Sequence, residues 1–441
     1  GTVVENFGIG SSVTIAGNSL EFTPSSALGG RKVYHISLPS GVITNMAGDS
    51  YVGTAYTFST AAGTPQLFAW GGNEHDNNIG MGILGLNDTN DRSSPTQIPG
   101  TTWSRMAQGS THGSNAQSYG GIKDDGTLWT WGDNNGGQLG TNQAESLRVS
   151  SPTQVPGTTW ASYDTGMENA GAVKTDGTLW TMGQNTQGQL GQNNLTRRSS
   201  PVQVGSDTTW SSVDGKLQVA RSCYFCVKTD GTLWAWGGNG QGYLGQNNRS
   251  QYSSPVQIPG TTWNCVAMAE VHNFMLASKT DGTLWGIGTG ESGNLAQNST
   301  VQYSSPVQIP GTDWRGGRGQ FATTGSSAAA TKTDGTLWTW GNNQFGILGQ
   351  GDNVQYSSPV QVPGTTWKGL AGGDYHMIAN KTDGTLWAWG TNNYDGGGQL
   401  GQNNTTPSNS PVQIGTETMW TSDQLGGSSK GAFAIMENTS V

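Results

Sequence analysis

The chain has 441 residues, a formal net charge of −9, 70 Gly, 18 Trp and only 3 Cys. That many tryptophans excludes a disordered chain, the acidic balance argues against a nucleic-acid surface, which would be basic, and so few cysteines exclude a fold held by disulfides. No apolar run approaches the ~18 residues that a membrane-spanning helix needs, so no membrane insertion is expected.

The first 60 residues stand apart: they contain no Trp and none of the repeated markers that follow. Alternating apolar residues predict four short strands, Ser12–Ile15, Leu20–Thr23, Tyr34–Leu38 and Ala55–Ser59. The run Pro39-Ser40-Gly41-Val42 through Ala47-Gly48-Asp49, closed by Phe58-Ser59-Thr60, resembles the second half of a bacterial Ig-like domain. Such a sandwich takes about 100 residues. The resemblance therefore implies that the first strands lie upstream of Gly1 or come from another chain. Gly1 in place of Met fits a processed product or a fragment. Ala61-Ala62-Gly63-Thr64-Pro65 reads as a linker, which makes 1–60 a partial Ig-like β domain and 61–441 a second domain.

From there one pentad organises the chain. Asp-Gly-Thr-Leu-Trp occurs at Asp125, Asp176, Asp230, Asp281, Asp334 and Asp383, with a degenerate copy at Leu67-Phe68-Ala69-Trp70-Gly71. Asp-Gly signals a tight turn, because Gly supplies the positive φ of a primed hairpin. Gly171–Lys174 approaches one turn as a strand and Thr178–Met182 leaves it, with Trp180 and Met182 on one face. Two further markers recur seven times. Ser-Pro-x-Gln, at Pro95, Pro152, Pro201, Pro255, Pro306, Pro359 and Pro411, reads as a short strand opened by proline. A following Trp, at 103, 160, 210, 263, 314, 367 and 420, opens another. Seven units of roughly 50 residues, each with about four antiparallel strands, predict an all-β seven-bladed propeller. Its Trp residues would pack blade against blade. The repeats begin with the strand that leaves a turn and end at Lys430–Glu437 with a strand that approaches one. The two ends are therefore expected to pair in a shared blade, removing an exposed edge.

Lys381–Gly401, with Lys-Thr-Asp-Gly-Thr-Leu-Trp-x-Trp-Gly and a later Gly-Gln-Leu-Gly, resembles the regulator-of-chromosome-condensation repeat family. The resemblance spans about Ala61 to Val441 and implies seven blades with a shared closing blade. One unit departs from it, carrying Gly293-Asn294-Leu295-Ala296 where Gly-Gln-Leu-Gly is expected.

Long loops on a rigid scaffold often carry binding, which points to an insertion in the first unit, Asn73–Asn90 and Gly109–Gly121. The residue three before each Ser-Pro proline is Arg92, Val149, Arg198, Tyr252, Tyr303, Tyr356 and Ser408. Tyr252, Tyr303 and Tyr356 offer area and a polar tip to a partner, and Arg92 and Arg198 join them as candidate contacts; local packing is the other reading of the tyrosines. No catalytic or metal site emerges. His112, His272 and His376 fall at a similar place in their repeats, which is a structural signature, and His35 and His75 add no cluster. Cys223-x-x-Cys226 lies on a strand rather than a helix start and reads as core, with Cys265 the other cysteine. No cofactor is expected.

Polar, weakly charged composition with an Ig-like leader resembles tail, fibre or capsid-decorating proteins of bacteriophages. The resulting expectation is a non-enzymatic, extracellular binding protein of a virion, contacting other virion proteins or a host glycan or receptor, and capable of oligomerising. Alternatives are a bacterial surface adhesin, a secreted propeller-type inhibitor and, against the acidic charge, a nucleotide-exchange or chromatin-binding propeller.

Overall fold

The structure is a computed structural model. It describes the strands 13–16, 19–22, 33–38 and 54–59 of the leader and residues 64–73, 82–107, 117–143, 147–269, 273–394 and 396–437. Two compact units result, Gly1–Pro65 with Glu437–Val441, and Gln66–Met436. In the first, Val13–Ala16 pairs antiparallel with Ser19–Phe22, and Val33–Leu38 with Thr54–Ser59. The four strands expected there are present within a residue or so.

In the second unit, seven four-stranded sheets form the blades. Blade 2 is typical: Trp160–Thr165, Asn169–Lys174, Leu179–Gly183 and Arg198–Gln203 pair in that order. Blade 1 starts at Trp103, and blades 3 to 6 have their first strands at Leu217, Trp263, Phe321 and Trp367. Blade 7 joins the two ends of the repeat region, in the order Trp420–Gly427, Gly431–Glu437, Pro65–Gly71, Arg92–Gln97. First strands of neighbouring blades touch in an unbroken cycle from blade 1 round to blade 7 and back, so the ring is closed as expected.

Each letter of the pentad has a physical task. In blade 2, Gly177 N–H donates to the Lys174 carbonyl, and only Gly177 of the turn has positive φ, at 79°. The hairpin is thus a type I turn followed by a left-handed glycine, and not the primed turn expected; two non-glycine residues at the centre make the type I conformation cheaper. Asp176 Oδ1 accepts from Thr178 N (3.0 Å) and Oγ1 (2.7 Å), and Thr178 Oγ1 accepts from Trp180 Nε1 at 2.9 Å. Leu179 is fully buried. The same relay recurs in the other five pentads. Thr178→Val keeps the shape and removes the hydroxyl, leaving the indole without its acceptor. It should cost about 1–2 kcal/mol in a denaturant titration with unchanged slope.

Proline's place is a second correction. Pro255 does not open its strand but lies inside Tyr252–Ile258. This fourth strand is the outermost in its blade, so the missing N–H would face away from the sheet, and the ladder slips between Ala235 and Gly237 beside it.

Hydrophobic burial lies between blades, in seven clusters. One joins Ile122, Leu128 and Val155 of blade 1 to Trp160, Ala172 and Met182 of blade 2. The tryptophans pack at these interfaces, as expected. Five of them also donate across an interface. Trp70, Trp131, Trp236, Trp340 and Trp389 each give Nε1–H to a backbone carbonyl in the connector of the preceding blade, at 2.7–3.0 Å. Blades 2 and 4 carry Met182 and Ile287 instead. Those connectors return the tie: backbone N–H groups of residues 87, 142, 193, 247, 298, 351 and 403 donate to the fourth strand of the next blade, in another complete cycle. The departure at Ala296 is accommodated. Ala296 adopts φ of 56°, like its glycine counterparts, and its buried methyl joins the cluster between blades 4 and 5, which offsets the backbone cost.

Candidate binding surfaces

Three regions hold the side chains with unusual surroundings. The first is the axis. Blades 3 and 5 interrupt their first strands: Trp210 and Trp314 make only isolated bridges to Lys228 and Lys332, and the strands resume at Leu217 and Phe321. The intervening loops, 211–216 and 315–320, carry Asp214 and Arg318. Arg318 Nη1 lies 3.2 Å from Asp214 Oδ1, and Arg318 Nη2 donates to the Leu425 carbonyl at 3.4 Å. Gln424 Nε2 donates to Asp214 Oδ2 at 3.1 Å, while its Oε1 accepts from Met106 N at 3.2 Å. One polar network thus ties blades 1, 3, 5 and 7, which are not all neighbours. Beside it, first strands of blades 3 to 7 leave a cavity of about 30 Å³, lined by Gln218, Ala267, Phe321, Leu370 and Leu425 among others. That is room for about one water molecule.

The second region is the face carrying the connectors. Strands one and three of a blade run the same way, so the loops that follow both emerge on one side. There, Phe345 of the blade 5 connector stacks edge-on against Tyr375 of blade 6 (4.9 Å), and Tyr375 against Tyr394 of the blade 6 connector (5.2 Å). Phe345 is 41% exposed. Burial, and then the neighbouring Asp374 carboxylate, push the Tyr375 phenol up.

The third region is the six Lys–Trp–Trp sandwiches. The lysine two residues before each pentad points its ammonium at both the first-strand Trp and the pentad Trp, at 3.9–5.0 Å from the ring centroids. In blade 3, Lys228 also meets Asp207 Oδ2 at 2.5 Å. Burial pushes the Asp207 carboxyl up, but hydrogen bonds from Lys228 and Thr209 outweigh it and hold the pKa at about 2.

The residues expected from the sequence are dispersed. Tyr252, Tyr303 and Tyr356 begin the fourth strands of blades 3, 4 and 5. All three are half-buried and pack on the inter-blade clusters. Tyr252 Oη accepts from Asn248 Nδ2 at 3.0 Å, and Tyr356 donates to Asp352 Oδ2 at 3.2 Å. Arg92 pairs with Asp88 at 2.5 Å within its own connector, and Arg198 is half-buried at the start of its strand. Parts of both expected insertion loops, 74–81 and 108–116, lie outside the described residues, as do His75, His112 and His272. Cys223, Cys226 and Cys265 are buried and in no disulfide; burial pushes Cys226 up strongly and Cys265 to about 11. Cys223 and Cys226 sit three apart on one strand, which turns them to opposite faces. Among the described residues, no group of three or more His, Cys, Asp or Glu is placed to hold a metal.

Neither the axial pair nor the aromatic trio was found from the sequence. Both had a signal: each residue breaks the repeat. Phe345 stands where blades 1 to 4 have Gly136, Gln187, Gln241 and Ser292.

Residues 125–161, 176–225, 230–274 and 334–379 match the Regulator of chromosome condensation (RCC1) repeat. The chain is a seven-bladed propeller in which four stretches match that repeat. This propeller is 25% identical over 284 residues to the ultraviolet-B receptor UVR8 of Arabidopsis thaliana, covering 64% of this chain and 63% of that one. It is 26% identical over 264 residues to the human E3 ubiquitin-protein ligase HERC2, covering 58% of this chain and 5% of the ligase. A human RCC1-like G exchanging factor-like protein is 30% identical over 197 residues, 42% of this chain and 41% of that one. The chain thus spans less than two thirds of each of these relatives. Among solved structures, Prp20p of Saccharomyces cerevisiae superposes with a TM-score of 0.71 at 16% identity, covering 85% of this chain and 92% of that one. Human WBSCR16 does so with 0.70 at 20%, covering 85% and 99%. These two likenesses concern the fold. None of these relatives or structures is described as an Ig-like, phage or adhesin protein.

Proposed function

We propose that this RCC1-type propeller is a non-enzymatic platform that binds another protein on its connector face. The observation that carries this reading is the Phe345–Tyr375–Tyr394 stack, which bridges two blades. Rigid aromatic rings on ordered loops make good anchors, because little side-chain freedom is lost on contact. The structure of Prp20p is described together with binding to Gsp1p and histones, and another with Kap60 bound, so protein binding has precedent on this fold.

Phe345→Ser with Tyr394→Ser should weaken capture of the partner at least about tenfold, while the melting temperature stays within about 2 °C because the rings sit on surface loops. The measurement is affinity capture and calorimetry on the same preparations. Unchanged capture would move the contact elsewhere on the disc. The tyrosine set Tyr252, Tyr303 and Tyr356, with Arg92 and Arg198, is the second candidate surface, and their alanine variants belong in the same assay.

The finer reading keeps an extracellular virion component, in a tail, fibre or capsid decoration. It rests on the weakly charged composition and the Ig-like resemblance of the leader; a bacterial surface adhesin or secreted inhibitor shares that composition. Absence of the chain from purified particles would dismiss the virion assignment. Nucleotide exchange on a small GTPase is opposed by the net charge of −9 only where chromatin is the partner, and an exchange assay decides it directly.

A further inference from the structure

Six blades fill their aromatic pair with an internal ammonium, and the seventh does not. In blade 7 the residue paired with the first-strand Trp420 is Met436, where blade 3 has Lys228 paired with Trp210. The aromatic pair itself is retained. Phe68 and Trp420 meet edge-to-face at 5.6 Å and 77°, close to the 6.3 Å and 77° of Trp210 and Trp234.

The counter-charge is retained too. Most blades are reached through Pro-Gly-Thr-Thr-Trp or a near variant, but two are not. Blade 3 is reached through Val204-Gly205-Ser206-Asp207-Thr208-Thr209-Trp210, and blade 7 through Ile414-Gly415-Thr416-Glu417-Thr418-Met419-Trp420. Each loop is one residue longer than the common form and carries a carboxylate three residues before the Trp. Gly415 has φ of 59°, and Glu417 Oε2 nearly fills the place that a Cβ on Gly415 would take, so the carboxylate folds over the glycine. Glu417 is exposed, and its Oε2 accepts from Thr416 N at 3.1 Å, a local contact that leaves the carboxylate open to solvent.

Both of these longer loops border a groove between blades. The blade 3 groove, about 450 Å³, is lined by Asp207, Trp210, Lys228 and Trp234 among others. The blade 7 groove, about 370 Å³, is lined by Phe68, Glu417, Trp420, Met436, Gln402 and Asn403 among others. Blade 3 thus displays a finished site: one ammonium at 4.7 and 4.1 Å from two indoles and 2.5 Å from a carboxylate. Blade 7 has the same kind of ring pair and a carboxylate in the same register, with an uncharged thioether in place of the cation.

We propose that the blade 7 groove binds an alkylammonium group, the side chain of a lysine or its methylated form, between Phe68 and Trp420 with Glu417 as counter-ion. A cation over aromatic faces is attracted by their negative quadrupole, and a nearby carboxylate adds to it. The site lies apart from the aromatic stack on the connector face and stands whether or not that surface binds a protein.

The test uses the full chain and three probes: Nα-acetyl-lysine methylamide, its ε-trimethyl form and the neutral norleucine analogue. Both cations should produce saturable shifts of the Trp420 indole N–H signal in NMR, and norleucine none. Glu417→Gln should weaken the cations about tenfold with an unchanged melting temperature, since the side chain is exposed. Met436→Lys should place an internal ammonium in the groove and abolish probe binding. No saturable shift, an equal response to norleucine, or full affinity in Glu417→Gln would each overturn the proposal, and the last holds even if Met436→Lys fails to fold.

Discussion

Asp214→Ala is expected to lower the unfolding free energy by about 3–5 kcal/mol. The side chain of Arg318 is only 5% exposed, and its charge is matched by Asp214 at 3.2 Å. Removing the carboxylate takes this counter-charge away from a buried guanidinium, and it also strips Gln424 Nε2 of its acceptor. Most of the cost comes from the lost counter-charge of a buried guanidinium rather than from the pair's own attraction. Replacing Asp214, Arg318 and Gln424 together by leucine, methionine and leucine should therefore recover most of the loss. Chemical denaturation of the single and triple variants checks both statements. A loss below about 1 kcal/mol for Asp214→Ala would mean that water screens the pair as at a surface.

The second large effect is acid sensitivity at the closing blade. His376 is fully buried at the start of the second strand of blade 6, and neither ring nitrogen has a hydrogen-bond partner of normal geometry. Burial pulls its pKa from 6.5 to about 4, against a smaller upward pull from the backbone of Gly431 on the closing strand. The unfolded chain takes up the proton near pH 6.5, whereas the folded chain resists until about pH 4. Stability is therefore unaffected above 6.5 and falls as pH drops from 6.5 to 4. Below that the loss levels off, at about 3 kcal/mol. His376→Leu should remove this component. The wild-type minus variant difference in unfolding free energy, taken between pH 7 and pH 4, isolates it, because the carboxylates titrate alike in both. An identical pH slope in the two proteins would rule the residue out as the source.

Much of the fold could be read in the chain because its determinants are local. The hydrogen bonds that join Asp176, Thr178 and Trp180, and that of Gly177 N–H to Lys174, lie within one hairpin, so the spacing of these residues reports their tasks directly. The closure was readable for a related reason: a repeat cut in mid-hairpin leaves two complementary strands, at Pro65–Gly71 and Gly431–Glu437. Finer local geometry was less accessible. The Asp-Gly turn is type I rather than primed, because a dipeptide does not report the residue before it, and proline sits inside an outer strand because edge position is a tertiary property. The leader's strands were placed, while its Ig-like resemblance gains no support from the relatives.

By itself, the sequence determined seven blades, their four strands, their tryptophan-rich interfaces and the joining of the two ends. All of these follow from a pattern repeated often enough to average out local ambiguity. Only the tertiary structure decided what stands at the axis and on the faces. Asp214 and Arg318 are 104 residues apart, and Phe345, Tyr375 and Tyr394 belong to two blades. A ring converts such separations into contact through its radius and register, and neither quantity is written in any single repeat.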